Sequence, residues 1–112
     1  MEINDFLNVI EFRQSQYETG HIRLMGYLKE TRDAATEKAV GLPFGELTVD
    51  PKDVPVEFDT FYASTDGGFV DRWLEQLEKA GRVERVGTVR SDDVDTFAGE
   101  HVSAELAKCR LV

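Results

Sequence analysis

INDFLNVIEFRQSQY, residues 3–17, reads two ways, and the fold turns on which reading is taken. Its apolar positions Ile3, Phe6, Leu7, Ile10 and Tyr17 recur at helical spacing, and Asn4 or Asp5 is available as an N-cap. This predicts an opening helix. Val9 and Phe12 interrupt the stripe, so the same residues also read as the first arm of a hairpin, with Phe6, Ile10 and Phe12 followed by a turn at Glu18-Thr19-Gly20. The helix is the leading expectation and the hairpin its alternative.

Working outward, Ile22, Leu24, Gly26 and Leu28 alternate with Arg23, Met25, Tyr27 and Lys29, the period of a half-buried strand. Residues 30–40 are polar without a wide apolar stripe and end in Gly41-Leu42-Pro43, as an exposed helical turn or loop would. Strands are expected at 46–49 and 56–63, divided by the turn-forming residues 50–55, DPKDVP. In the second strand Val56, Phe58, Thr60 and Tyr62 would share one face. Glu57, Asp59 and Phe61 would share the other, wetter one. A helix begins at Thr65 or Asp66 and stops at Gly81, with Phe69, Val70, Trp73, Leu74 and Leu77 on one stripe and Asp71, Arg72, Glu75, Glu78 and Lys79 opposite.

Val83, Val86 and Val89 then suggest a strand over 82–90, with Gly87 at a bulge. Ser91 or Asp92 could start a short helical turn through Phe97, closed by Gly99, and the tail 100–112 suits either a helix or a last strand. Together these readings predict an α+β fold: one domain over residues 1–112, a mostly antiparallel sheet of about four strands covered by two or three helices, with the Trp73 helix as main cover.

Composition bounds the function. At 112 residues and 41% hydrophobic content, with seven Phe, three Tyr and one Trp, the chain can close one core without a partner. Cys109 is the single cysteine, which excludes an internal disulfide and a multi-cysteine zinc site and fits a reducing cytoplasm. The first ten residues have no positive n-region, and nowhere do 18 apolar residues follow one another, so neither a signal peptide nor a membrane span is expected. The net charge is -9. Phosphate backbones and anionic lipids should be repelled, while a basic protein surface should be attracted.

That charge is local. Between Gly41 and Asp71 stand Glu46, Asp50, Asp53, Glu57, Asp59, Asp66 and Asp71 against one base, Lys52. Carboxylates two apart on a strand would project from one face about 6.6–6.8 Å apart, comparable to the phosphate repeat of a nucleic acid. Phe61 and Tyr62 would add aromatic anchors. The competing reading is general acidity of the kind a high-salt cytoplasm selects: 22 acids accompany only five lysines and three isoleucines.

Other chemistry is weaker. His101, Glu105 and Cys109 would align at i,i+4 on a helical tail as metal ligands, but three ligands on one short helix do not surround an ion. Cys109 beside Lys108 and Arg110 could be a stabilised thiolate, with a core residue as the plainer account. Ser64-Thr65-Asp66-Gly67-Gly68 has the composition of a phosphate turn but no phosphate-loop lysine, and Asp92-Asp93-Val94-Asp95 departs from a calcium loop. No metal, cofactor or catalytic residue is assigned.

The expected function is therefore a small acidic, non-enzymatic cytoplasmic binding protein. Glu46, Asp50, Asp53, Glu57, Asp59, Phe61, Asp66 and Asp71 would dock on a basic site of another protein, as in a phage-type inhibitor or immunity protein acting on a nucleic-acid-handling enzyme. The alternative is a small ligand-binding or enzymatic domain with a pocket between sheet and helices, using Tyr27, Tyr62, His21, His101 or Cys109. A homodimer through an exposed sheet edge stays open.

Overall fold

The hairpin reading of the opening stretch is the one that holds. A computed structural model describes residues 10–28, 43–65, 69–95 and 101–112. In it β1 (Ile10–Gln16) pairs antiparallel with β2 (Ile22–Leu28), from Ile10 opposite Leu28 to Gln16 opposite Ile22. The Tyr17 amide donates to the His21 carbonyl and the Gly20 amide to the Tyr17 carbonyl, at 2.9 Å each. Gly20 sits at φ +97°, so the connection is a three-residue loop with a glycine bulge. The helix expected over 3–17 is overturned for its described part because Ile10 and Phe12 point inward while Glu11 and Arg13 point outward, a period of two. Residues 3–9 lie outside the described residues, as do 30–40.

β3 (Pro43–Glu46) joins the other edge of β2, completing a sheet ordered β1-β2-β3. A second sheet, ordered β4-β6-β5, is built from β4 (Thr60–Ala63), β5 (Val83–Asp95) and β6 (His101–Leu111). One helix, α1 (Phe69–Lys79), lies between β4 and β5 in the chain. The described residues are thus mostly strand, in two three-stranded antiparallel sheets with one helix, and the expected four-stranded sheet under two or three helices is corrected.

Besides the opening hairpin, two later segments account for the difference. The tail, left open between helix and strand, is a strand, and β5 runs on through the segment expected to turn helically after Ser91. Bulges at Arg85/Gly87, where Gly87 was expected to mark one, and at Ser91/Val94 let β5 bend and carry Asp92 and Asp93 without breaking from β6.

Both faces of central strand β6 are covered. On one, Phe61, Ala63, Val83, Ala107 and Cys109 meet Ile10, Ile22 and Leu24 of the first sheet and Trp73, Leu74 and Leu77 of α1. On the other, Tyr62, Val94 and Leu106 form a second cluster with Val49, Val54 and Val89. The segment after β3 covers this second face: Val49 bridges Tyr62 of β4 and Pro51 bridges Val94 of β5, so it ties the two edges of the sheet together. The Trp73 ring meets Phe12 edge-on at 5.3 Å between centroids. Beneath that ring is Gly26, where a Cβ would come within 3.0 Å of Trp73 Cζ3, so glycine in the middle of β2 is a packing requirement.

Candidate partner-binding surface

Residues 47–59, the heart of the acidic stretch, are fixed from several sides. The Leu47 amide extends the ladder to the Leu24 carbonyl at 2.9 Å, and the Leu24 amide donates to Thr48 Oγ1 at 3.0 Å. Thr19 Oγ1 donates to Asp50 at 2.6 Å. Further on, the Lys52 amide reaches the Asp93 carbonyl at 3.0 Å, while Asp53 accepts from the Ser91 hydroxyl and from the Asp92 amide at 2.8 Å. The Ser91 hydrogen bond, followed by that of the Asp92 amide, holds the Asp53 carboxyl below the usual aspartate range. His21 Nε2 donates to the Val54 carbonyl at 2.8 Å; a carbonyl only accepts, so this nitrogen carries the proton.

Past Val54 the chain turns outward and then back. The Thr60 amide donates to the Glu57 carbonyl at 3.3 Å and Thr60 Oγ1 to the Phe58 carbonyl at 3.0 Å. Asp59 takes φ +52°, a left-handed conformation that aspartate tolerates better than most residues, and its carbonyl accepts the Leu111 amide at 2.8 Å. This turn makes β4 start at Thr60, four residues later than expected, so Glu57 and Asp59 do not stand in a row on one strand face. It also leaves Phe58 89% exposed, the most exposed of the large apolar residues described, with Val56 half exposed beside it. Val56 stands over the hairpin turn, its Cγ2 3.6 Å from where a Cβ on Gly20 would be, so exposed Glu18 joins the same surface.

The expected site residues divide by what they touch. Glu46 accepts from the Tyr17 hydroxyl and from Arg23 Nε at 3.0 Å; burial, then Glu46, push the Tyr17 phenol well above its ordinary range. Asp50 is 8% exposed. Glu57 pairs with Lys108 Nζ at 2.5 Å and accepts from the Tyr62 hydroxyl at 3.3 Å, and the Lys108 hydrogen bond draws its carboxyl below the usual range. Asp71 meets Arg85 Nη2 at 3.2 Å, beside Glu78 at 2.6 Å from Arg85 Nε. Asp66 lies outside the described residues. Asp53 and Asp59 keep their charges unneutralised by any described base.

Phe61 is the clear correction. It was expected on a wet face, but it is 0% exposed in the main core, because β4 is covered on both sides. Phe58, expected to point inward with Tyr62, is the aromatic that faces out. The signal that could have exchanged them is the Asp59-Thr60 pair after Phe58, an aspartate at a left-handed position and a hydroxyl that closes the turn.

Buried chemistry is closed off. His21 and Tyr62 do meet, edge to face at 5.3 Å, but both are 1% exposed and His21 Nδ1 has no partner. Burial, then the Glu57 charge, raise the Tyr62 phenol to about 12. Cys109 is fully buried and its thiol is raised to about 11, mainly by burial. Lys108 and Arg110 do not stabilise it, since neighbours on a strand point to the opposite face. In the β6 strand His101, Glu105 and Cys109 are spread along about 27 Å of backbone instead of stacking on helical turns. Among the described residues no group of three potential ligands could hold a metal ion, and no helix is long and apolar enough to cross a membrane. An open cleft of about 270 Å³ lies between Phe12 and Leu24 on one side and Leu77, Val83 and Leu111 on the other, lined by none of the residues the ligand-pocket reading needs.

Comparison with known proteins finds no matching family model, no matching curated protein and no matching solved structure. The functional reading therefore rests on the geometry of the surface.

Proposed function

We propose that this chain is a small acidic binding protein that docks on a basic site of a partner protein. Phe58 enters an apolar pocket there, and Glu57, Asp59 and Glu18 face cations at its rim. The biological setting that fits is inhibition of a nucleic-acid-handling enzyme, in the manner of phage-type inhibitors and immunity proteins, with the acidic surface occupying the groove meant for phosphates.

The observation that carries the reading is Phe58, 89% exposed on a turn pinned by the Thr60 and Leu111 hydrogen bonds. A lone exposed apolar residue is ordinary on any protein. An aromatic ring carried outward on a pinned turn differs, because the backbone cost of presenting it is met before binding, and large aromatic side chains anchor interface cores. Carboxylates flank the ring, and the net charge of -9 adds long-range attraction for a basic surface. Glu57 brings Lys108 with it, so the local field is weaker than a count of acids suggests, and the aromatic contact supplies most of the affinity.

The test is capture from a native lysate at low and moderate salt with three chains: wild type, Phe58→Ala, and a Glu57→Gln/Asp59→Asn variant. A basic protein retained by the wild type, lost with Phe58→Ala and weakened by salt or by the charge variant supports the reading. Capture that ignores all three changes rejects it.

A further inference from the structure

We propose that Phe58 of one copy of this chain enters the apolar cleft of a second copy, reciprocally about a two-fold axis, to give a closed dimer. The inference goes beyond the basic-partner reading and stands without it, although both use Phe58.

The socket is the cleft of about 270 Å³, with Leu24 on one wall, Leu77, Val83 and Leu111 on the other, and Gln14 and Arg82 in its lining. An apolar cavity of about 150 Å³ holds a benzene molecule, so this cleft has room for a phenyl ring. Arg82 is exposed, and among the described residues no acid pairs with it. Its carbonyl accepts the Val112 amide at 3.1 Å, which ties its backbone to the end of β6.

The plug is Phe58, 89% exposed on its pinned turn. Beside it, Asp59 carries a charge that no described base neutralises. Each copy thus holds an outward aromatic next to an unpaired acid, and an apolar cleft next to an unpaired base. Neither feature alone selects an occupant. A second copy matches the two to each other: the ring fills the cleft, and Asp59 of one chain meets Arg82 of the other in an arginine–carboxylate pair.

Plug and socket are also neighbours. The Asp59 carbonyl accepts the Leu111 amide at 2.8 Å, and Leu111 stands opposite Val83 in the β5–β6 ladder, so only β6 separates the Phe58 turn from the Val83 wall. With one strand spacing of about 4.8 Å on either side of β6, Asp59 and Val83 lie roughly 10 Å apart. A two-fold axis passing between them places each ring in the other chain's cleft at once. Such an isologous contact closes at two copies. The dimer covers Phe58, so any partner that takes this ring competes with the second copy.

The experiment is sedimentation equilibrium up to about 1 mM protein, at about 0.15 M salt, where repulsion between the -9 chains is screened beyond about 8 Å. The samples are wild type, Phe58→Ala, Arg82→Glu and an equimolar mixture of the two variants. Both residues are exposed, and circular dichroism checks that each variant is folded. The wild type should follow a monomer–dimer equilibrium. Each variant alone should dimerise roughly tenfold more weakly or worse, the first for want of a ring and the second because the introduced carboxylate faces Asp59. In the mixture the Arg82→Glu chain still offers its Phe58 and the Phe58→Ala chain its intact cleft. One of the two contacts is restored, so the mixture should dimerise more strongly than either variant alone. A wild type that is monomeric throughout overturns the inference, as does an Arg82→Glu chain that dimerises like wild type or a mixture no stronger than its components. Arg82→Glu also separates this inference from the partner reading: it should lose the dimer yet keep capture of a basic protein, whereas Phe58→Ala loses both.

Discussion

Replacing Gly26 by alanine tests whether the two sheets and the helix meet as described. An added Cβ would lie 3.0 Å from Trp73 Cζ3, 3.1 Å from Cη2 and 3.3 Å from Ile10 Cγ2, whereas carbon atoms pack best at about 3.5–4.0 Å. Trp73 is 7% exposed and already rests against Phe12, so the ring has little space to yield. Overpacking of this kind costs about 1–3 kcal/mol. Alanine restricts the unfolded chain more than glycine does and returns about 0.4–1 kcal/mol. The net loss is about 1–2 kcal/mol. For 112 residues, at about 2.1 cal/mol/K of unfolding entropy per residue, that lowers Tm by roughly 4–8 °C. Trp73 is the single tryptophan, so urea unfolding followed by its fluorescence reports on the site directly. Circular dichroism repeats the measurement in a Trp73→Phe background, where the smaller ring leaves space and Gly26→Ala should cost measurably less. An alanine variant as stable as wild type, or one that loses the same amount in both backgrounds, would refute the contact between β2 and α1.

Asp53 links the covering segment to β5 and gives the fold an acid limb. Its folded-state pKa is depressed, so its contribution is present above the unfolded value near 4 and is lost as pH falls through the lower folded value. The urea midpoint of Asp53→Asn should therefore lie below wild type at pH 7, with the gap narrowing as pH falls below the unfolded value; a gap constant with pH would contradict this. Cys109, fully buried with its thiol raised to about 11, should resist a thiol-directed reagent at pH 7.5 until denaturant is added. Rapid labelling of the native protein would place it elsewhere.

The parts of the fold legible in the sequence are those where one face is wet. Ile22, Leu24 and Gly26 alternate visibly with Arg23, Met25 and Tyr27 because β2 has a core side and a half-exposed one. The α1 stripe of Trp73, Leu74 and Leu77 is readable for the same reason. β6 was not, since it is covered on both sides: Leu106 and Cys109 lie on opposite faces, both buried, so a strand's alternation is missing and a helical spacing can be drawn through the same residues. In β5 the run Asp92-Asp93-Val94-Asp95 argues locally against a strand, and only pairing with β6 through a bulge overrides that. The site shows the same limit. The acidic stretch could be seen, but the pairing of Glu57 with Lys108, 51 positions apart, is a product of the fold, as is the exchange of Phe58 for Phe61 at the surface.

The central claim is that Phe58 anchors a basic partner and the neighbouring carboxylates steer it there. The most direct measurement is the binding kinetics of the captured partner with wild type, Phe58→Ala and the Glu57→Gln/Asp59→Asn variant at two salt concentrations. Truncating Phe58 should leave the stability of the free protein within about 0.5 kcal/mol, since the ring is 89% exposed. It should cost about 2 kcal/mol of binding, roughly 30-fold, mainly as faster dissociation. The charge variant should slow association and flatten its salt dependence while changing dissociation little. A partner that leaves Phe58→Ala at the wild-type rate would contradict the account.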